Sequence, residues 1–507
     1  MIAKVLMIQG TGSSVGKSVL VAALCRIFRQ DGFSVAPYKS QNMSLNSYVT
    51  RDGGEMGRAQ VVQAEAAGIE PSVDMNPILL KPEADAKSQV VLMGKPAMTV
   101  PAGEYYLQTP ELLHAAEESL NRLRSQYDIV VIEGAGSPAE INLKRCEIVN
   151  MRIARLADAP VLLVGDIDKG GVFAQLVGTL ALLDDDERRY IKGFIINKFR
   201  GDIALLQPGL DELESITSLP VMGVIPYYHD IFIDEEDSVR RDTPSKATTD
   251  VDIAVIHLPH ISNSTDFEPL QREQGVTVHY IRHAKDMGHP DAIILPGSKS
   301  TTSDLAHIRN TGIADAIVRI TRSGVPVIGI CAGFQMLGKS INDPSHTESD
   351  CDSVAGLGLL DVVTTFAKRK TTWQVRAVCA CRRGILGGMN GEEVSGYEIH
   401  IGQTLGDNLS PAFRITRRGD RKSHQLDGAV SEDGNIMGTY IHGLFENASI
   451  RRCLLSNLHK MKGVDCETQP FVLSKDSEYD KLAALVRGSI NMDLIYKISG
   501  LKRKKRR

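Results

Sequence analysis

The apolar run Val5–Ile8 passes directly into Gly10-Thr-Gly-Ser-Ser-Val-Gly16-Lys17-Ser18, and an amphipathic stretch, Ser18–Gln30, follows at once. A strand that ends in a glycine-rich turn and opens a helix converges several backbone N–H groups on one point, and the helix dipole adds to their pull on an anion. The loop therefore predicts a phosphate site for ATP. Gly12 and Gly16 let the backbone approach the phosphates, Lys17 reaches the β- and γ-phosphates, and the Ser18 hydroxyl ligates Mg2+. The strict pattern is G-x-x-x-x-G-K-[ST]; here Thr11 holds the first glycine position and Gly10 falls one residue early.

Such a loop belongs to a parallel sheet, and the chain around it agrees. Ser34–Pro37, Ile129–Ile132, Val161–Val164, Ile191–Ile196 and Val221–Ile225 are short aliphatic runs separated by helical stretches. Runs of this kind bounded by Gly, Pro or Asp suit strands buried on both faces. The expectation is α/β: a P-loop-type doubly wound parallel sheet over residues 1–235. The acidic Asp234-Glu-Glu-Asp237 and the stretch Pro244–Asp250 have no apolar period, so 236–250 reads as a linker. From Val251 the pattern restarts with Ile253–Ile256, Val276–Tyr280, Ala292–Leu295 and Val325–Ile330, predicting a flavodoxin-like α/β domain over 251–450. Beyond Leu360 the strands Gln374–Val378 and Ile436–Ile441 read as antiparallel. Residues 451–507 read as a helical extension whose basic end, Lys502–Arg507, is a solvated tail.

Composition narrows the function classes. A net charge of −4 and an aromatic content of 5% exclude a cationic nucleic-acid surface and a base-stacking platform. No apolar stretch approaches the roughly 20 residues that span a bilayer. The eight cysteines are scattered without a C-x-x-C pair, which fits free thiols in a reducing compartment. The expected location is cytoplasmic, without nucleic-acid or membrane partners.

Further residues gather at strand ends. Glu133 closes Ile129–Ile132 and is a candidate Mg2+ contact. Asn197 closes Ile191–Ile196 and is a candidate reader of the adenine edge. Asp166 and Asp168 either line the same crevice or cap helices. In the second half, Val325–Ile330 runs into Gly329-Ile-Cys331-Ala332-Gly333, a nucleophile elbow with cysteine in place of serine. The following helix lowers a thiol pKa and supplies N–H groups for an oxyanion. His442, at the end of a strand, is the candidate base, and Gly297 with Ala332 the candidate oxyanion hole. For the acid that orients the imidazole the sequence offers Glu446 or none. His400 is a weaker alternative base.

These segments resemble known families. The G-T-x-x-x-V-G-K-S loop with a strand ending in E-G-A-G is similar to the dethiobiotin-synthetase-like ATPases, in which a lysine at the place of Lys39 contacts substrate. The Cys331 elbow, the Leu-Pro-Gly297-Ser loop and His442 resemble class I, triad-type glutamine amidotransferases, which implies glutamine as co-substrate. The segments Lys39–Asn46, Met56–Gln60, Asn76–Pro82, Glu133–Asn142, Asp166–Phe173, Asn197–Asp202, Leu258–Asp266 and Gly396–His400 extend the resemblance to the cobyric acid synthase family of the cobalamin pathway. It implies ATP- and glutamine-dependent amidation of the b, d, e and g carboxylates of adenosylcobyrinic acid a,c-diamide. Lys39, Asn42, Arg58 and Lys81 are then candidate contacts to the polyanionic corrinoid. Cobyrinic acid a,c-diamide synthase is the nearest alternative. A switch ATPase carrying a non-catalytic amidotransferase-like domain is the alternative from another class.

Overall fold

The computed structural model describes residues 2–83, 87–101, 103–234, 250–367, 369–407, 410–464 and 474–504. The expected linker 236–250, apart from Asp250, lies outside the described residues, as do Cys466 and the last three residues of the basic tail.

Six strands form the first sheet: β1 (Lys4–Gly10), β2 (Val35–Tyr38), β3 (Ile129–Glu133), β4 (Val161–Asp166), β5 (Ile191–Phe199) and β6 (Val221–Pro226). Their order is β6-β5-β4-β1-β3-β2, and every pair is parallel. β3 and β4 are buried along their whole length, which is why they read as unbroken aliphatic runs. Helix α1 (Lys17–Gln30) buries Leu20–Phe28 against the sheet. Connections leave β1 toward both sides, so the crevice for a ligand opens at its carboxyl end. Between β2 and β3 the chain inserts a small sheet (Gln41–Met43, Ile78–Pro82, Lys87–Leu92, Lys95–Pro101) and helix α2 (Arg58–Ala67).

The second sheet uses β7 (Val251–Ile256), β8 (Val276–Ile281), β9 (Ala292–Leu295) and β10 (Val327–Ile330), the last leading into α3 (Ala332–Leu337). A third, antiparallel sheet contains β11 (Thr371–Cys379), β12 (Glu393–His400) and β13 (Phe413–Arg418). The run Ile436–Ile441 departs from expectation. Its first part, β14 (Ile436–Thr439), is parallel to β10, while β15 (Ile441–His442) crosses to pair antiparallel with Tyr397 and Glu398 of β12. Asp427 holds the break, accepting from the Thr439 hydroxyl and from the Tyr440 N–H at 3.2 Å. The break puts His442 at the seam between the two sheets, beside the end of β10.

The C-terminal region is not one separate extension. Helix Ala448–Met461 buries Ile450, Leu454 and Leu458 in the core of the second domain. Helices α4 (Lys475–Ser489) and α5 (Met492–Ser499) return to the first, where Leu482, Val486 and Ile495 join Leu24 and Phe28. Arg26 fixes α4 through Asp476 at 2.8 Å and Asp480 at 2.7 Å. Within the basic tail, Lys504 pairs with Asp128 at 2.8 Å and Arg503 with Asp493 at 3.0 Å. Among the described residues no helix is long and apolar enough to cross a membrane.

Candidate functional site

The phosphate loop curls between β1 and α1 in the expected way. Gly16 has φ +99°, and a Cβ there would lie 2.1 Å from the Asn197 amide nitrogen, so glycine is needed both for the turn and for the close approach. Lys17 folds over the loop, donating to the carbonyls of Gly12 at 2.7 Å and Gly136 at 3.1 Å. The Ser18 hydroxyl donates to Glu133 at 2.8 Å. Glu133 is buried and also receives Lys39 at 2.9 Å and the amides of Gln60 and Gln63. Burial alone raises its carboxyl, but the Lys39 ammonium and these donors bring it below the ordinary carboxylate range. Ser18 and Glu133 thus present oxygens to one point, a donor set that fits Mg2+ beside a phosphate. The Asn197 amide donates to Val15 O at 2.8 Å, so its N–H bracing goes to the loop itself. Asp166 pairs with Lys198 at 3.0 Å and Asp168 with Arg200 at 3.1 Å.

A cavity of about 1750 Å³ opens from this loop. Lys17, Ser18, Lys39, Asn42, Glu133 and Asn197 line it, together with His279 and Arg282 of the second domain. Two of the four expected corrinoid contacts are elsewhere. Lys81 is buried against Glu55 at 2.7 Å, and Lys370 from the second domain reaches the same carboxylate at 2.5 Å. Despite burial, the two ammonium groups hold the Glu55 carboxyl far below the usual range, while burial pulls Lys370 down to about 8. Arg58 is buried between Asp234 at 3.1 Å and Glu446 at 2.9 Å, over the Tyr48 ring. Both cations belong to ion-pair clusters that the second domain completes, through Lys370 at Glu55 and Glu446 at Arg58, and neither lines the cavity: a buried cation must be paired, and these already are.

The second site lies at the end of β10. Cys331 has φ +55° and ψ −109°, a strained conformation of the kind that a nucleophile elbow imposes. Small neighbours are obligatory: a Cβ on Gly333 would lie 2.1 Å from Leu295 O, and one on Gly329 2.6 Å from the Leu337 side chain. The Cys331 thiol donates to Ile399 O at 3.4 Å, and His442 is close enough for the thiol to act on its protonation. Its Nδ1 meets Asp266 Oδ2 at 2.7 Å, and the Gly443 N–H donates to Asp266 Oδ1 at 3.0 Å. Burial lowers the imidazole pKa, but Asp266 and the thiol outweigh it and raise it to about 10. Tyr397 stacks on the ring at 5.5 Å. Gly297 abuts it from another side, since a Cβ there would lie 3.0 Å from His442 Cε1.

The orienting acid is therefore Asp266, not Glu446, whose carboxylate is committed to Arg58 and Lys475. His400 stacks on Tyr440 at 3.8 Å, whereas His442 is the histidine paired with a buried carboxylate, Asp266, and electrostatically coupled to Cys331. Asp266 was missed because it precedes His442 by most of the domain, so no local spacing marks it. The available signal was its place: a carboxylate in the loop after β7, at the carboxyl end of a parallel strand, where open α/β sheets build sites.

The sequence model of a CobB/CobQ-like glutamine amidotransferase domain matches residues 252–450, and that of a CobQ/CobB/MinD/ParA nucleotide-binding domain matches residues 6–239. A cobyric acid synthase from Dehalococcoides mccartyi (strain CBDB1) is 56% identical, covering 98% of this chain and 99% of that protein. One from Sorangium cellulosum (strain So ce56) is 51% identical over 99% of this chain and all of its own length, 100%. A third, from Moorella thermoacetica, is 51% identical over 99% and 98%. The chain belongs to the cobyric acid synthase family. It is a glutamine-dependent ligase that uses ATP, and the switch ATPase with a silent second domain is set aside.

For a cobyric acid synthase family member, the dyad behind Cys331 has a testable consequence. Asp266→Asn keeps the shape but removes the charge that raises His442. Glutaminase kcat is expected to fall by several orders of magnitude, about 10⁴-fold where the same change was made in a serine-protease triad. The alkaline limb of the rate profile, where the imidazolium loses its proton, moves to lower pH. An unchanged alkaline limb in steady-state kinetics contradicts the assignment.

Proposed function

We propose that the chain amidates the b, d, e and g carboxylates of adenosylcobyrinic acid a,c-diamide, yielding adenosylcobyric acid. The observation that carries this is the pairing, in one chain with full-length similarity to cobyric acid synthases, of a Cys331–His442–Asp266 triad with a phosphate-loop cavity containing a buried lysine, Lys39. The synthetase unit is residues 1–235 completed by α4 and α5, and the amidotransferase unit runs from Val251 through helix Ala448–Met461.

Glutamine reacts at the second site. The Cys331 thiolate attacks the side-chain amide carbon, and the oxyanion is met by N–H groups of Ala332 and the Gly297 loop. The His442 imidazolium, held by Asp266, gives its proton to the departing ammonia. It then takes a proton from the water that hydrolyses the thioester, releasing glutamate.

ATP reacts at the first. The loop from Gly12 through Gly16 to Ser18 holds the phosphates, with Lys17 across them. Mg2+, held by Ser18 and Glu133, supplies charge neutralisation at the β- and γ-phosphates when bound. A corrinoid carboxylate attacks the γ-phosphorus, ADP leaves, and Lys39 neutralises charge between the acyl oxygen and the transferred phosphoryl group. Ammonia displaces phosphate from the acyl phosphate, and the amide forms. Asn42 and Lys39 are the retained candidates for corrinoid contact; Asn197 braces the nucleotide end.

Trapping the acyl phosphate tests this sequence. With ATP, corrinoid and hydroxylamine in place of glutamine, corrinoid hydroxamates are expected with one ADP formed per hydroxamate. ADP formation without hydroxamate speaks against an acyl phosphate.

A further inference from the structure

Asp266 is carried on the 3-10 turn Ser264–Phe267, entered through Asn263 with φ +52°. An asparagine in this left-handed region persists where its surroundings fix it. Here they come from the other domain. The Asn263 side-chain carbonyl accepts from the Ser47 N–H at 2.9 Å, and the Asn263 N–H points to Leu45 O at 3.4 Å. Asn46 Oδ1 accepts from the Ser264 N–H at 2.9 Å and from the Ser264 hydroxyl at 3.3 Å. The Asn263 carbonyl then accepts from the Asp266 N–H at 2.9 Å. Residues 45–47 therefore hold the turn that presents the triad carboxylate.

Asn46 is tied equally well to the ATP-binding half. Its backbone carbonyl accepts from the N–H of Arg58 at 3.1 Å, at the start of α2. Gln60 and Gln63 of that helix hold Glu133, the carboxylate beside the phosphate loop. Gln41, Asn42 and Met43, a few residues before Asn46, line the synthetase cavity. A second contact runs in parallel: the Tyr48 ring lies 5.3 Å from Tyr397, which stacks on His442.

We propose that Asn46 is a positioning residue for the glutaminase: from the synthetase domain, it fixes the turn that aims Asp266 at His442. Thiol chemistry at Cys331 thereby depends on a side chain of the domain that consumes the ammonia. The proposal rests on Cys331 being the glutaminase nucleophile. A misplacement of about 1 Å at a catalytic constellation costs on the order of a hundredfold in rate, and one acceptor in a turn is enough to produce it.

The test compares glutaminase kinetics of the full-length chain with Asn46→Leu, which matches the side chain in size without an acceptor, and Asn46→Asp, which retains an oxygen for the Ser264 N–H. Asn46→Leu is expected to lose about ten- to a hundredfold in kcat with little change in the KM for glutamine. Its alkaline limb moves to lower pH, because His442 is less well held by Asp266. Asn46→Asp is expected to recover most of the rate and the pH profile. Wild-type kcat and pH profile in Asn46→Leu, or equal losses in both variants, overturn the proposal. Should Asn46→Leu not fold, Asn46→Ala removes the same acceptor for Ser264 without a bulky apolar side chain; the same loss supports the proposal and wild-type kinetics overturn it. If the unaltered chain has no glutaminase, it is the Cys331 reading that fails, so the two failures are distinguishable.

Discussion

Cys331→Ala is expected to abolish glutamine hydrolysis and glutamine-driven amidation, while amidation driven by added ammonium salt continues. Loss of a nucleophile costs on the order of 10⁶-fold in a comparable triad hydrolase, so the residual glutaminase falls below detection. The fold is expected to survive. Alanine fits the space of the thiol at the end of β10, and the strain at φ +55° is already present with cysteine. The ammonia route survives because no atom of Cys331 belongs to the cavity that holds Lys17, Lys39 and Glu133. Paired assays with glutamine and with ammonium at a pH that supplies free ammonia read the difference. Loss of both routes places the thiol in the synthetase chemistry and contradicts the division of labour.

Lys17→Ala carries the opposite signature. Amidation is expected to vanish with either nitrogen source, because without the ammonium across the phosphates no acyl phosphate forms. Removing one preorganised charge from a transferring phosphoryl group costs on the order of 10²–10³-fold or more. The site at Cys331 keeps its triad intact, since its contacts run through Asp266 and not through the phosphate loop. Glutamine hydrolysis in this variant, measured without corrinoid, is therefore expected to remain. Substantial ammonia-driven amidation by Lys17→Ala would remove ATP activation from that loop.

Local motifs carried most of what the sequence made legible. The phosphate loop and the cysteine elbow each consist of contiguous residues in a strand–turn–helix, so spacing alone identifies them. The parallel sheets followed from unbroken aliphatic runs. What depended on tertiary contact was not legible. Asp266 and His442 meet at 2.7 Å from opposite ends of the second domain, and Glu446, nearer in sequence, is drawn away by Arg58. Arg58 and Lys81 sit in segments rich in polar residues and look like anion contacts, yet burial binds them to Asp234 and Glu55 of their own domain and, for Arg58, to Glu446 of the other. Residues 451–507 read only as a helical extension, and it is the fold that shows the apolar faces of α4 and α5 packed on α1. The break at Tyr440, which swings His442 from one sheet to the other, depends on a single buried carboxylate, Asp427.

The central claim is that this one chain moves nitrogen from glutamine onto several carboxylates of a corrinoid. Mass spectrometry of the corrinoid after incubation with ATP and glutamine labelled with ¹⁵N in the side-chain amide measures it directly. Four new amides, each carrying the label, are the predicted result. With the a,c-diamide as substrate, an unchanged corrinoid contradicts the account, and it is what an a,c-diamide synthase would give, since its two carboxylates are already amides.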